Sequence, residues 1–199
     1  MGRGVLLAAL LGVLLPLGGC ERAMSARPPA FQLTDITGAP FGRDFSLTDH
    51  TGQRRSLADY RGKVVALMFG YLHCPDMCPT TLLELKQVLQ GLGPAASGVQ
   101  VLFVTLDPER DTAASLASGV ARFDPAFVGL RGSPAETSQL ARQFNVAYQQ
   151  HQAADGSRSI DHSAGSYIFD RQGRLRLYAA YGSDNRVLEH DLRLLLSEK

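Results

Sequence analysis

A chain of 199 residues with a formal net charge of +1 is long enough for one domain with a substantial core. Its charge balance carries no pull toward nucleic acid or acidic partners. With 45% hydrophobic residues, and without a basic stripe, heptad run or internal repeat, it reads as an ordinary globular protein.

Residues 1–19 read as an export signal: Arg3 supplies the positive start, 5–17 the apolar stretch, and small residues precede Cys20. The apolar stretch is short for a membrane span. Leu17-Gly18-Gly19-Cys20 resembles the bacterial lipobox, in which the signal is cut before the cysteine and the cysteine carries the lipid, so Cys20 is the expected lipidation site. An uncleaved N-terminal anchor with an unrelated cysteine is the alternative. Both readings place the domain on an oxidising, extracytoplasmic side, where a cysteine pair serves as a disulfide, a redox couple or a metal site. Residues 20–40, polar and proline-bearing through Arg27-Pro28-Pro29, read as a tether, which leaves 41–199 as the domain.

Residues 45–57 alternate around Asp49-His50-Thr51-Gly52, the pattern of a hairpin ahead of the main sheet with His50 solvated at its tip. A short turn of helix follows at 56–60. The run 64–69 is apolar at every position, as in a strand covered on both faces. After it, Leu82, Leu85, Val88, Leu89 and Leu92 recur at helical spacing. Cys74 and Cys78 therefore lie at a strand-to-helix crossover, where open α/β folds build their sites. Pro79 suits the first helical position and would leave Cys78 as a cap, whose thiolate the helix N-terminus would favour. Three intervening residues let Cys74 fold back until both sulfurs face one point, close enough to bridge or to share a soft metal. Packing of two free thiols is the blander reading.

The run 99–105 reads as a second apolar strand. It ends at Asp107, beside the cysteine loop if the two strands are parallel neighbours; this carboxylate either serves the site or pairs with Arg110. Asp111 reads as an N-cap for a helix presenting Leu116, Val120 and Phe123. A third strand at 126–130 and a helix opened by Ser133 and Pro134 establish α/β alternation. Residues 149–159 are polar and read as a loop with a solvated His151. After Asp161-His162-Ser163 come a hairpin, 166–169 with 175–178, and a final helix at 185–197 with His190 facing solvent.

Taken together, the stretch from Gly70 through Cys74-Pro75-Asp76-Met77-Cys78-Pro79 to Leu82, the run Asp107-Pro108-Glu109-Arg110-Asp111-Thr112, and Asp161-His162-Ser163 resemble the Sco/SenC family of copper-binding proteins. The resemblance extends over about 41–196. It implies an α/β, thioredoxin-like three-layer sandwich with a central mixed sheet, here with an N-terminal β-hairpin. It also implies a membrane-tethered copper chaperone that delivers copper to the binuclear copper centre of cytochrome c oxidase. The implied metal ligands are Cys74, Cys78 and His162, with the two cysteines also a redox pair. Asp161, next to His162, is expected either to fix its ring through a hydrogen bond or to cap the strand end, and Asp107 to support the site. The implied partners are the copper-receiving oxidase subunit, other copper chaperones and the membrane through the N-terminal lipid, with the domain on the periplasmic side of a bacterial envelope and no role for nucleic acid. Leu72 departs from the family, where many relatives have a small polar residue.

The donor types agree with copper. Two thiolates select a soft metal, an added imidazole suits Cu(I) or Cu(II), and three ligands leave a structural zinc site one short. The Cys-x-x-Cys-His of a haem attachment is absent. His73 is the competing imidazole, expected to point away from a Cys74 that points in. The rival function is a thiol-disulfide oxidoreductase acting on cysteines of a cuproprotein. Against it, the cysteine spacing is one residue longer than in thioredoxins, and the facing loop holds histidine without proline.

Overall fold

The computed structural model describes Met1 and residues 30–198. The signal segment and the expected lipidation site Cys20 lie outside the described residues.

The strands and helices are β1 (Thr34–Asp35), β2 (Leu47–Asp49), β3 (Arg54–Arg55), β4 (Val64–Gly70), α1 (Met77–Leu92), β5 (Val99–Thr105), α2 (Ala113–Ala121), β6 (Val128–Arg131), α3 (Pro134–Gln143), β7 (Tyr148–Gln152), β8 (Arg158–His162), β9 (Gly165–Phe169), β10 (Leu175–Ala180) and α4 (Asn185–Ser197). Eight strands make one mixed sheet in the order β1-β10-β9-β4-β5-β6-β2-β3. β4, β5 and β6 run parallel, β9 lies antiparallel beside β4, and β10 lies antiparallel on the far side of β9. Every residue of β4 and β5 is buried, so both faces of the sheet centre are covered. The apolar run without alternation had that reason. Their carboxyl ends, Gly70 and Thr105, are register partners, which brings the cysteine loop and the Asp107 loop together.

The N-terminal hairpin is part of this sheet. β2 pairs with β6, and His50, expected to be solvated, is half-buried: its amide donates to the Gly129 carbonyl (2.9 Å) and its Nδ1 accepts from the Gly129 amide (3.0 Å). Asp49 closes the turn, accepting from the Thr51 amide and hydroxyl, the Gln53 amide and Arg55 Nε. Burial alone would raise its pKa, but these donors outweigh it and hold the carboxyl below its usual range.

Two stretches that read as unstructured are ordered. Within the expected 20–40 tether, β1 pairs with β10, Leu33 is buried, and the Gln32 and Leu33 amides donate to the fully buried Asp191 carboxylate of α4 (2.8 to 3.1 Å). The fold thus begins before residue 41. His190, expected to face solvent, lies 2.8 Å through Nδ1 from the same carboxylate. The expected polar loop 149–159 is mostly the separate two-stranded sheet β7-β8. Of β7 and β8 only Ile160 is fully buried, so its sequence carries no apolar period.

Candidate metal centre

Gly70 ends β4 because a close approach requires it: a Cβ there would sit 2.6 Å from Cys78 Sγ and 2.9 Å from the Phe103 ring. The helix starts earlier than Pro79 implied, with Asp76 as N-cap and Cys78 inside the first turn. Proline is tolerated there since first-turn amides lack intrahelical partners. Cys78 is only 3% exposed, and burial pushes its thiol pKa well up. The expected lowering by the helix N-terminus is overridden, because desolvation of a thiolate outweighs a dipole at a buried position.

Cys74 does fold back. Its amide donates to the Tyr71 carbonyl (3.2 Å), and its sulfur lies 3.5 Å from the Cys78 amide. His162, the last residue of β8, reaches over from the separate hairpin, with Nε2 3.6 Å from Cys78 Sγ. The two sulfurs and an imidazole nitrogen all lie within 4.8 Å of one another. Nδ1 of His162 lies 2.9 Å from the Ser163 carbonyl oxygen, which can only accept. Nδ1 therefore donates, and in the neutral form of the ring Nε2 turns its lone pair toward the sulfurs. That is the role expected of Asp161, which does not fill it. Successive strand residues face opposite ways, so Asp161 points out, 82% exposed, and pairs with His151 Nε2 at 3.0 Å. His73 stays outside the cluster, exposed and 3.6 Å from an Asp111 oxygen.

The Asp107 loop positions the hairpin. Asp107 is fully buried and forms an ion pair with Arg110 Nε. The same guanidinium donates through Nη1 to the Arg158 carbonyl of β8 (3.1 Å), and Arg158 Nη2 pairs with Glu109 (3.0 Å). From the cysteine loop, the Tyr71 hydroxyl accepts from the Ile160 amide (3.3 Å), and the Tyr71 ring meets His162 edge-on at 6.2 Å. Asp111, expected as a helix cap, is instead fully buried; Thr112 caps α2. One Asp111 oxygen accepts from the Leu72 amide (3.0 Å) and the Thr105 hydroxyl (2.5 Å), fixing the chain two residues before Cys74. Burial raises its pKa. Sequence reasoning missed Tyr71, Ser163 and this role of Asp111; the available signal was Thr105, a polar residue at the site end of a mostly apolar buried strand.

Fold and cluster together define a thioredoxin-like domain with a candidate copper site, made by Cys74 and Cys78 of its first crossover and His162 at the end of β8. A family model described as SCO1/SenC matches residues 34–197. The chain belongs to the SCO1/SenC family. It is 40% identical over 193 residues to the mitochondrial SCO2 homolog of Bos taurus, covering 93% of this chain and 71% of that one. It spans 44% to 71% of the length of the mitochondrial relatives it matches, and 84% to 92% of two SCO2-like proteins of Rickettsia. Among solved structures, Bradyrhizobium japonicum ScoI with copper bound superposes with a TM-score of 0.71 at 36% identity, covering 77% of this chain and 98% of that one. The apo Sco1 protein of Thermus thermophilus gives 0.74 at 37% identity, covering 84% and 98%. No helix among the described residues is long and apolar enough to cross a membrane.

Proposed function

We propose that this protein is a copper chaperone that takes copper on Cys74, Cys78 and His162 and hands it to the binuclear copper centre of cytochrome c oxidase. The observation that carries the reading is the convergence of two sulfurs and an imidazole nitrogen within 4.8 Å. Two thiolates hold a soft ion, and the imidazole adds the nitrogen that Cu(II) prefers. The solved relative with copper bound supports copper as the cargo. The recipient follows from family membership, and a solved structure described as a member of the Sco family of cytochrome c oxidase assembly proteins carries the same fold at 19% identity. Adding one equivalent of copper to the reduced protein is expected to give one copper per chain after desalting, with a thiolate-to-Cu(II) charge-transfer band. Copper lost on desalting would overturn the assignment.

The same sulfurs form a reversible disulfide when metal is absent. Copper ligation then requires prior reduction, so chaperone and redox roles share one pair. This also keeps open the second reading, a thiol-disulfide oxidoreductase acting on a cuproprotein, favoured by the proximity of the free thiols.

The membrane tether belongs to the proposal as well: lipid on Cys20 holds the domain at the extracytoplasmic face of a bacterial membrane. Several acyl chains together anchor firmly where one does not. Intact mass of protein from membranes is expected to correspond to a chain starting at an acylated Cys20; a mass starting at Met1 would remove the lipid and favour the uncleaved anchor.

A further inference from the structure

Beside the cluster, on the side of α2, a cavity of about 360 Å³ opens over both cysteines. Leu72, Leu82, Phe103 and Phe123 supply apolar wall. Leu72 packs directly on Gly119 of α2, where a Cβ would come within 2.6 Å of its Cδ2, so the wall is closed on that side. The rim carries Arg122, exposed and in no ion pair among the described residues, and the exposed His73. No carboxylate lines the cavity. The volume is at the small end of ligand pockets, the size of a modified amino acid or short peptide rather than a protein segment.

We propose that this cavity is a subsite for a small thiol bearing a carboxylate, which reduces the Cys74–Cys78 disulfide and so readies the pair for copper. The inference rests on the reversible-disulfide reading above. Arg122 would hold the carboxylate while the apolar wall holds the carbon chain, leaving the incoming sulfur over the pair. Attack falls on Cys74, the more exposed residue of the pair at 9% against 3%. The incoming thiolate bonds to the Cys74 sulfur, the Cys74–Cys78 bond breaks, and Cys78 leaves with the electron pair. A second molecule of the same thiol attacks the mixed disulfide, forming the external disulfide and freeing Cys74. Two electrons pass from two external thiols to the pair, and their two protons end on Cys74 and Cys78.

The test uses the full protein, oxidised and metal-free, at fixed pH and low ionic strength. Reduction is followed by thiol release with mercaptoacetate, 2-mercaptoethanol and cysteamine, each rate divided by that thiol's rate on a small model disulfide to remove intrinsic nucleophilicity. The expected result is a preference of about five-fold for mercaptoacetate over cysteamine, the size of one exposed charge pair, fading in high salt. Arg122→Gln should erase the preference and Arg122→Glu reverse it. Ser118→Glu, which adds a carboxylate at another exposed lining residue and leaves Arg122 in place, should also cut it. Equal corrected rates in the parent, or a preference surviving in Arg122→Gln, would overturn the subsite while leaving the redox pair standing. Two free thiols after oxidation would instead overturn the redox reading, and the subsite with it.

Discussion

Replacing His162 with alanine is expected to weaken Cu(II) binding by at least about 100-fold, beyond the roughly 10–100-fold that changes around a ligand typically cost. The variant removes the one nitrogen of the cluster, whose Nε2 lies 3.6 Å from Cys78 Sγ. Cu(II) favours a tetragonal set containing nitrogen, whereas Cu(I) is satisfied by two thiolates. Cu(I) binding should therefore be retained in part, and Cys74 and Cys78 should still oxidise to a disulfide. The fold should tolerate the change, since His162 ends a partly exposed strand. Titration of the reduced variant beside the parent, read optically for Cu(II) and by chelator competition for Cu(I), checks this. Unchanged Cu(II) affinity would remove His162 from the site and turn attention to His73. A plain oxidoreductase would show the opposite emphasis, with the substitution felt in exchange rate and copper irrelevant.

Arg110→Ala is expected to have the largest effect on stability, about 2–4 kcal/mol. Asp107 is fully buried, its Oδ1 already lacks a partner, and its other oxygen depends on Arg110. Removing the cation strands a buried carboxylate, which costs several kcal/mol at a fully buried pair and somewhat less here because the guanidinium is a quarter exposed. Thermal unfolding should fall by about 5–15 °C for a domain of this size. Adding Asp107→Asn should recover most of the loss by removing the stranded charge. Arg110 also donates to the Arg158 carbonyl, so the variant loosens the strand ending in His162. Cu(II) affinity should drop, though less than in His162→Ala. A melting temperature within a degree of the parent would show that the pair contributes little.

The centre of this fold is legible in the sequence because burial on both faces leaves a mark there. In β4 and β5 nearly every position is apolar, the exceptions Gln100 and Thr105 being buried and hydrogen-bonded, and the switch to helical spacing after Cys78 marks the crossover. Apolar pattern failed wherever hydrogen bonds, not burial, hold the chain. β7-β8 is polar over nearly its whole length and is docked by Arg110, Glu109 and Tyr71. Residues 32–36 looked like a linker because their anchor, Asp191, is more than 150 positions away. Asp111 and Asp161 were misassigned for related reasons. A carboxylate before a helix has the same local signature whether it caps that helix or turns inward to a distant amide. A carboxylate next to a ligand in a strand is carried to the other face by the pleat. Cys78 shows the limit for chemistry: helix position was nearly right, but depth, which decides thiol acidity here, is a property of the whole sheet.

The grip of Asp191 on Gln32 and Leu33 also sets a distance. With a lipid on Cys20, only residues 21–31 lie between the bilayer and the first clamped residue. Eleven residues fully drawn out span no more than about 40 Å, and a relaxed chain reaches about half that. The domain would work on a short leash, searching a thin layer above the membrane. On the proposed function, copper would then pass only to a recipient whose own metal centre lies within that layer, and the buried carboxylate of the last helix would help select the partner without touching it.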